Sequence, residues 1–542
     1  MRKLDKFKRA LPSLAVSAAL GVMALSYAHA AEDAAGAGDF NYAVSGYVRG
    51  WLSMNLENQE EYKQGFGANT KRHARGKLSM VRGSILVDND ASWNGLKFKA
   101  IARLDKEYKT NYLKDLEDLR TAGGPGTPVP TGGGKSITDN YNNFDFREFW
   151  VEAPIGDRTT VKFGRQQLVW GESDFFQAMD VVHGYNLSWR LFFEGENEEW
   201  RKPLILLSTK IRVPEANGLI AAYVRPGLDR CEDMGNTYDV RGGRWFFAPY
   251  RGFDASRINQ VTNCETKGAE KDKWTYGIRW QGEYAGVNYS VAYLKAAAGD
   301  PVVNPSQQVS VNQYKGVQPK GLVSDFIHPN IDVLGLTASG YSDALDAVLS
   351  AEMAYVFDQP YNVGTGAFAG FVGPASLTPT LVNPGIGLNG IKEKDVLIAM
   401  LRADKNLKFE DILGTTRPSF SSIQIFSRQI LNFKKSDDLA RLFFWGTKKK
   451  ENDTILTMFT VLNYRNDEIN PGFAVGFDLV NGGGFAIPSV SMTFGDKWLA
   501  KLEADIFWDN GSNGTQFSGE KSQLFGYFKG SSQLALRVTR QF

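Results

Sequence analysis

Histidine and cysteine are scarce in this 542-residue chain, with four of the first and two of the second. A triad hydrolase needs a histidine oriented by a polar partner. Once an N-terminal leader is set aside only His73, His183 and His328 remain, and none lies near a Gly-x-Ser-x-Gly elbow. Two cysteines with no histidine close by make a poor zinc site, so neither a metal nor a cofactor is expected. After the leader there is no apolar run long enough for a membrane helix, and few apolar residues recur at helical spacing. Charge of one sign is absent too: 62 Lys and Arg face 60 Asp and Glu, a balance that argues against a nucleic-acid partner. What remains abundant is glycine, with 56 residues, and aromatics at 13%. These suit one large all-β unit better than several soluble α/β domains.

The first thirty residues read as a secretory leader. Arg2, Lys3, Lys6, Lys8 and Arg9 form a basic start, residues 10–27 are apolar and small, and Ala28-His29-Ala30 is a small-x-small cleavage signature. The chain is thus divided into a leader, 1–30, and a barrel, 31–542. The leader carries five cations and one anion, so its removal takes the formal +2 to about −2.

Beyond it, period-2 alternation recurs. In 40–56, Val44, Val48 and Leu52 share one face, and Ser45, Tyr47, Arg49 and Ser53 the other. In 96–105, Leu96, Phe98, Ala100, Ala102 and Leu104 alternate with Lys97, Lys99, Arg103 and Asp105. Charges at every second position do not fit a dry sandwich core; they fit a strand with lipid outside and water inside. The hairpin 274–293 carries aromatics near both strand ends, as interfacial girdles require. In 498–508, Trp498, Leu502, Ile506 and Trp508 oppose Lys501, Glu503 and Asp505. For long loops and short turns to fall on opposite sides, 295–344 must hide a strand, and 331–339 is the candidate. The expectation is an outer-membrane β-barrel of about 16–18 antiparallel strands with long extracellular loops. The last strand, 534–542, places Leu534, Leu536, Val538 and terminal Phe542 on one face, a form that resembles the signal read by outer-membrane assembly machinery.

The chain is organised around residues 144–214. Strand 144–153 turns at Ile155-Gly156-Asp157-Arg158 into strand 161–171. About thirty residues dense in charge and aromatics follow, and strand 203–213 leaves again. Loop 172–202 is the candidate constriction. Its acids are Glu172, Asp174, Asp180, Glu194, Glu196, Glu198 and Glu199; its bases, with the strand end, are Arg165, Arg190, Arg201 and Lys202. Opposed charges across a narrow passage sort solutes by a transverse field. Trp170, Phe175, Phe176, Trp189, Phe192 and Phe193 offer an apolar solute a resting surface. Gln166, Gln167 and His183 complete the lumen set. Since a charge on the lipid face near the midplane costs about 2–4 kcal/mol, Arg165 is expected to point inward and to pair with Glu172, Asp174 or Asp180.

The run Gly164-Arg165-Gln166-Gln167-Leu168-Val169-Trp170-Gly171-Glu172-Ser173-Asp174, then Asp180-Val181, then Glu198-Glu199-Trp200-Arg201-Lys202-Pro203, resembles a proteobacterial outer-membrane family catalogued only as a domain of unknown function. Arg147-Glu148-Phe149-Trp150-Val151 and the strand 351–357 match it as well. Where that family has Asn-Pro and then Asp-x-Arg after Asp-Val, this chain has His183-Gly184-Tyr185-Asn186-Leu187-Ser188-Trp189-Arg190. The resemblance implies a β-barrel, often encoded beside exporters of the resistance-nodulation-division type. It implies movement of hydrophobic or amphiphilic small molecules across the outer membrane. The partners expected are outer-membrane lipids, the assembly machinery, a small-molecule solute and such an exporter. The alternatives are an outer-membrane lipid hydrolase and an adhesin or scaffold with a plugged lumen.

Cys231 and Cys264 both fall in the long loop 226–272 of an exported chain, which suggests a disulfide. Thiol labelling of denatured, unreduced protein is expected to find no free cysteine; two labelled thiols overturn the pairing.

Overall fold

In the computed structural model, strand β1 (Asn41–Asn55) pairs with both β2 (Leu78–Trp93) and the last strand, β18 (Gln533–Gln541). Between them run β3 (Leu96–Glu107), β4 (Asn143–Ile155), β5 (Thr159–Gln166), β6 (Leu204–Val213), β7 (Gly218–Arg225), β8 (Thr275–Tyr284) and β9 (Val287–Ala297). There follow β10 (Asn330–Ser342), β11 (Ala347–Asn362), β12 (Ile391–Leu407), β13 (Ser419–Ile430), β14 (Asn452–Val461), β15 (Ile469–Asp478), β16 (Gly484–Phe494) and β17 (Trp498–Trp508). Each pairs with the next, antiparallel, so the 18-stranded sheet closes on itself. Closure pairs the backbone groups that lipid cannot satisfy. The structure describes residues 40–62, 69–121, 136–171, 173, 176, 178–186, 197–228, 233–234, 243–245, 261–262, 273–307, 310–318, 324–364, 389–440, 449–509, 525–528 and 530–542. The leader, Cys231 and Cys264 lie outside these residues.

The alternation sorts two faces. Leu52, Phe98, Leu104, Phe163, Ile205, Ile278, Leu334, Leu336, Leu401, Trp498, Leu502 and Ile506 are exposed on the outer face. Arg49, Ser53, Arg82, Arg103, Asp105, Gln166, Glu352, Glu503, Asp505 and Arg537 are buried inside. Turns 94–95, 156–158, 214–217, 285–286, 343–346 and 495–497 share one end with both ends of the barrel chain. The strand ends joined by connections 108–142, 167–203, 226–274, 298–329 and 363–390 are all at the other. The hidden strand expected at 331–339 is β10.

Two details differ from the sequence reading. The loop after β3 contains a helix, Asn111–Thr121, in which Thr110 Oγ1 accepts from Leu113 N–H at 3.1 Å and Tyr112, Leu113 and Leu116 are buried. Its apolar face is too short to stand out from a loop. The second strand of the organising stretch ends at Gln166, not at residue 171. Gly164 sits at φ 131°, a conformation reserved for glycine, and a Cβ there would lie 2.3 Å from the Phe149 carbonyl.

The C-terminus completes the closing seam. Gly46 N–H donates to Phe542 O at 3.2 Å and Phe542 N–H to Gly46 O at 3.1 Å. A Cβ on Gly46 would meet the Phe542 ring at 2.8 Å. Deleting Phe542 removes both bonds and the ring from the closing β1–β18 pair. The heat-modifiable, membrane-inserted fraction is expected to fall severalfold, with protein left in the periplasm; unchanged insertion refutes a role in assembly.

Candidate functional site

The segment 167–203 leaves the wall at β5, and its described residues reach the facing wall. Gln166, buried beside Leu204 and Leu206, starts it: its Nε2 donates to Leu206 O at 3.1 Å and its Oε1 accepts from Ser208 at 2.8 Å. Trp170 is 3% exposed and packs edge-on against Tyr223 at 5.4 Å. Arg279 of β8 donates to the Trp170 carbonyl at 3.2 Å and lies 5.3 Å over its ring. Further along, Met179 N–H donates to Glu352 Oε2 of β11 at 3.2 Å. The Met179 side chain occupies the space a Cβ would need at Gly335 of β10, and Phe176 meets Phe426 of β13 edge-on at 5.4 Å. The segment therefore touches strands five to eight places around the barrel from its root.

Its return limb is fixed on the opposite side. Glu199 accepts from Tyr47 (3.2 Å) and Arg49 of β1 and from Arg103 of β3 (3.0 Å). Arg103 continues to Asp105 at 3.0 Å, and Asp105 to Arg82 at 3.2 Å. The charges are buried and hydrogen-bonded to one another, which offsets their desolvation. The two limbs also hold each other. Asn186 N–H donates to Trp200 O and Lys202 N–H to Gly184 O, both at 2.8 Å. Asp180 accepts two bonds from the Arg201 guanidinium and one from Tyr185 at 2.6 Å. His183, 2% exposed, accepts from Leu168 N–H at 2.8 Å and donates to Lys202 O at 2.9 Å. That pattern needs the neutral Nδ1–H tautomer. Burial is the main reason its pKa falls from 6.5 to about 4; Arg201 adds to the fall and Asp180 opposes it.

Apolar side chains flank the strap on both sides. Trp170, Ala178, Met179 and Val182 join Leu204, Leu206, Tyr223, Val333 and Val356 in one cluster. Phe176 and Tyr185 pack on another, which gathers Trp51, Tyr112, Trp200, Trp245, Phe485 and Phe525 from four connections and the wall.

Of the residues picked out from the sequence, Gln166, Gln167, Trp170, Asp180, His183 and Arg201 come together here. Glu172, Asp174 and Arg190 lie outside the described residues. Arg165 is corrected in its direction: it pairs in register with Phe149 and Ile205, both exposed outside, and among the described residues its ion pair is with Asp145 at 3.0 Å, not with Asp180. The inward neighbour is Gln166. The ladder to Leu204 and Leu206 sets the phase of the strand, and Asp145 offsets the cost that had argued for an inward arginine. Tyr47, Arg49, Arg103, Arg279 and Glu352 were not singled out as partners of the loop. Arg49 and Arg103 had been placed on polar strand faces, and that alternation was the available signal.

The fold and this strap define a transmembrane β-barrel with one long connection, 167–203, whose described residues fold inward. The family described as protein of unknown function (DUF1302) matches residues 11–542, and the chain belongs to that family. No curated protein matches it. Among solved structures it is similar to Acinetobacter baumannii OccAB1, at 10% identity and TM-score 0.43 over 93% of this chain and 96% of that one. It is also similar to Pseudomonas aeruginosa OpdK with vanillate, at 7% and 0.41 over 93% and 98%. A third is an anion-selective porin from Comamonas acidovorans, at 10% and 0.35 over 93% and 100%. At these scores the likenesses carry no argument, and the architecture stands on this chain's own ladder.

The pKa of His183 gives the strap a pH dependence. The docked ring refuses a proton that the released ring takes up near 6.5, so docking is fully favoured above that value and weakens as pH falls toward 4. Protease cutting within 167–203 is expected to be constant from pH 8 to 6.5 and to rise below it. His183→Gln should remove that rise; a wild-type profile flat to pH 4 contradicts the assignment.

Proposed function

We propose that this barrel is a porin-like channel of the outer membrane for hydrophobic or amphiphilic small molecules, with residues 172–202 as its constriction. One observation carries the reading: the strap is held to β1 and β3 through Glu199 and to β11 through Glu352, across the lumen. Charge at the anchors and apolar side chains along the strap suit a solute with a greasy body and a polar end. A triad built on His183 is disfavoured because both its ring nitrogens are committed to backbone groups, as those of a triad base could not be. Outer-membrane lipids, the assembly machinery and an exporter of the resistance-nodulation-division type are the partners this role calls for.

Glu199→Ala frees the return limb and leaves Arg49 and Arg103 facing the passage. Single-channel conductance in planar bilayers is expected to rise about twofold or more, with selectivity shifted toward anions. Asp180→Ala, which leaves buried Arg201 without its carboxylate, should weaken docking by on the order of 3 kcal/mol and act the same way. If both variants conduct and select as the wild type does, the strap is not the constriction. A second reading, a plugged scaffold, is favoured by the cluster that joins four connections inside the wall; absence of any conductance in the wild type would support it.

A further inference from the structure

We propose that the barrel wall has a lateral portal between β4 and β5, through which an uncharged or singly charged hydrophobic solute passes between the lumen and the outer leaflet. The proposal rests on the channel reading above and names the route within it.

The seam between these strands is short. Its ladder runs from Ile155–Thr159 to Phe149–Arg165 and stops, seven pairs in all. At about 3.3 Å per residue and a tilt of 35–45° it climbs about 18 Å, below the roughly 25 Å of an outer-membrane apolar band. On its other side β4 stays paired with β3 as far as Asn143. The edge of residues 143–148 thus continues above the end of β5. Across this gap the described contacts are side-chain ones: Arg165 to Asp145 at 3.0 Å and Gln167 Nε2 to Glu148 Oε1 at 3.4 Å. No backbone hydrogen bond joins 143–148 to 167–171 among the described residues.

The gap opens on lipid. Phe144 and Phe146, above the last pair, are 63% and 53% exposed and meet edge-on at 5.2 Å. Phe149, Ile205 and Val169 are exposed around it. Outward aromatics above the ladder's end mark the upper rim of the apolar band, so the seam ends below that rim. A bulge at Arg147 re-aims that side chain to Arg201 O at 2.9 Å and bends β4 at this level. Behind the gap the strap begins. Leu168 packs on the cluster of Trp170, Leu204, Leu206 and Tyr223, so apolar surface runs from lumen to lipid through one side-chain latch.

The test clamps the seam. Asp145→Cys with Arg165→Cys is bridged by a short bis-maleimide, with wild type treated identically as the control for Cys231 and Cys264. Entry of N-phenyl-1-naphthylamine into the outer membrane of cells is followed by fluorescence, and conductance is measured on the purified protein. The clamp is expected to cut dye entry at least fivefold, with conductance changed less than twofold; Arg165→Ala alone should speed entry. Dye entry unaffected by the clamp overturns the portal and leaves the channel reading intact, and so does a parallel fall in entry and conductance. Dye entry in unclamped cells equal to that in cells lacking the protein defeats the channel reading for this solute class, and the portal with it. Heat-modifiable migration checks insertion. If the first pair fails to insert, Glu148→Cys with Gln167→Cys clamps the same seam under the same criteria.

Discussion

A backbone amide inside a bilayer has no water to turn to, and this requirement shapes the chain from β1 to β18. An unsatisfied peptide group in hydrocarbon costs several kcal/mol. The sheet therefore continues until its first and last strands meet, with Gly46 and Phe542 exchanging the last pair of bonds. Closure also fixes the phase of every strand, because each register is tied to two neighbours. That is how Leu204 and Leu206 determine which of Arg165 and Gln166 looks inward. Local preference for a neutral lipid face loses to the ladder, and Asp145 supplies the compensation.

A closed ring of 18 strands leaves an interior too wide for wall side chains to fill. The chain fills it with its own connections. The described residues of the strap 167–203 carry few secondary-structure bonds, and side chains tie them to the wall: Glu199 on the arginines of β1 and β3, Trp170 on Arg279, Met179 against Gly335. Such a segment is held by a handful of buried contacts instead of a ladder. It belongs to the part of a structure that opens at lower free energy than the wall. The neutral imidazole of His183 ties one limb to the other without adding a charge to the lumen. At the root of the strap the β4–β5 ladder ends at Phe149–Arg165 while β3 and β4 stay paired to Asn143, and the described contacts across the gap are two polar side-chain ones.

The strands were legible because burial on one face only imposes period 2. Trp498–Trp508 is found with the bounds the alternation indicated, and β10 was located by requiring long and short connections to lie on opposite sides. Ends were less legible. The stop at Gln166 depends on Gly164 and on the side chain of Gln166 reaching Leu206, neither of which alters the apolar pattern. The helix at 111–121 was missed because its buried face is made by three residues whose partners, Trp51, Phe507 and Phe525 among them, lie far away in the chain.

The sequence by itself determined the architecture: alternation, glycine and aromatic content, and the distribution of long and short connections permit a lipid-facing barrel and little else. It also located the segment that enters the lumen, since charge and aromatics concentrate there. Only the tertiary structure decided which residues meet. Glu199 finds Arg49 and Arg103, Asp180 finds Arg201, and Arg165, rooted at an outward register position, reaches Asp145. The reason is physical: a strand's faces follow from local pattern, whereas partners across a lumen depend on register, shear and closure, which belong to the ring as a whole.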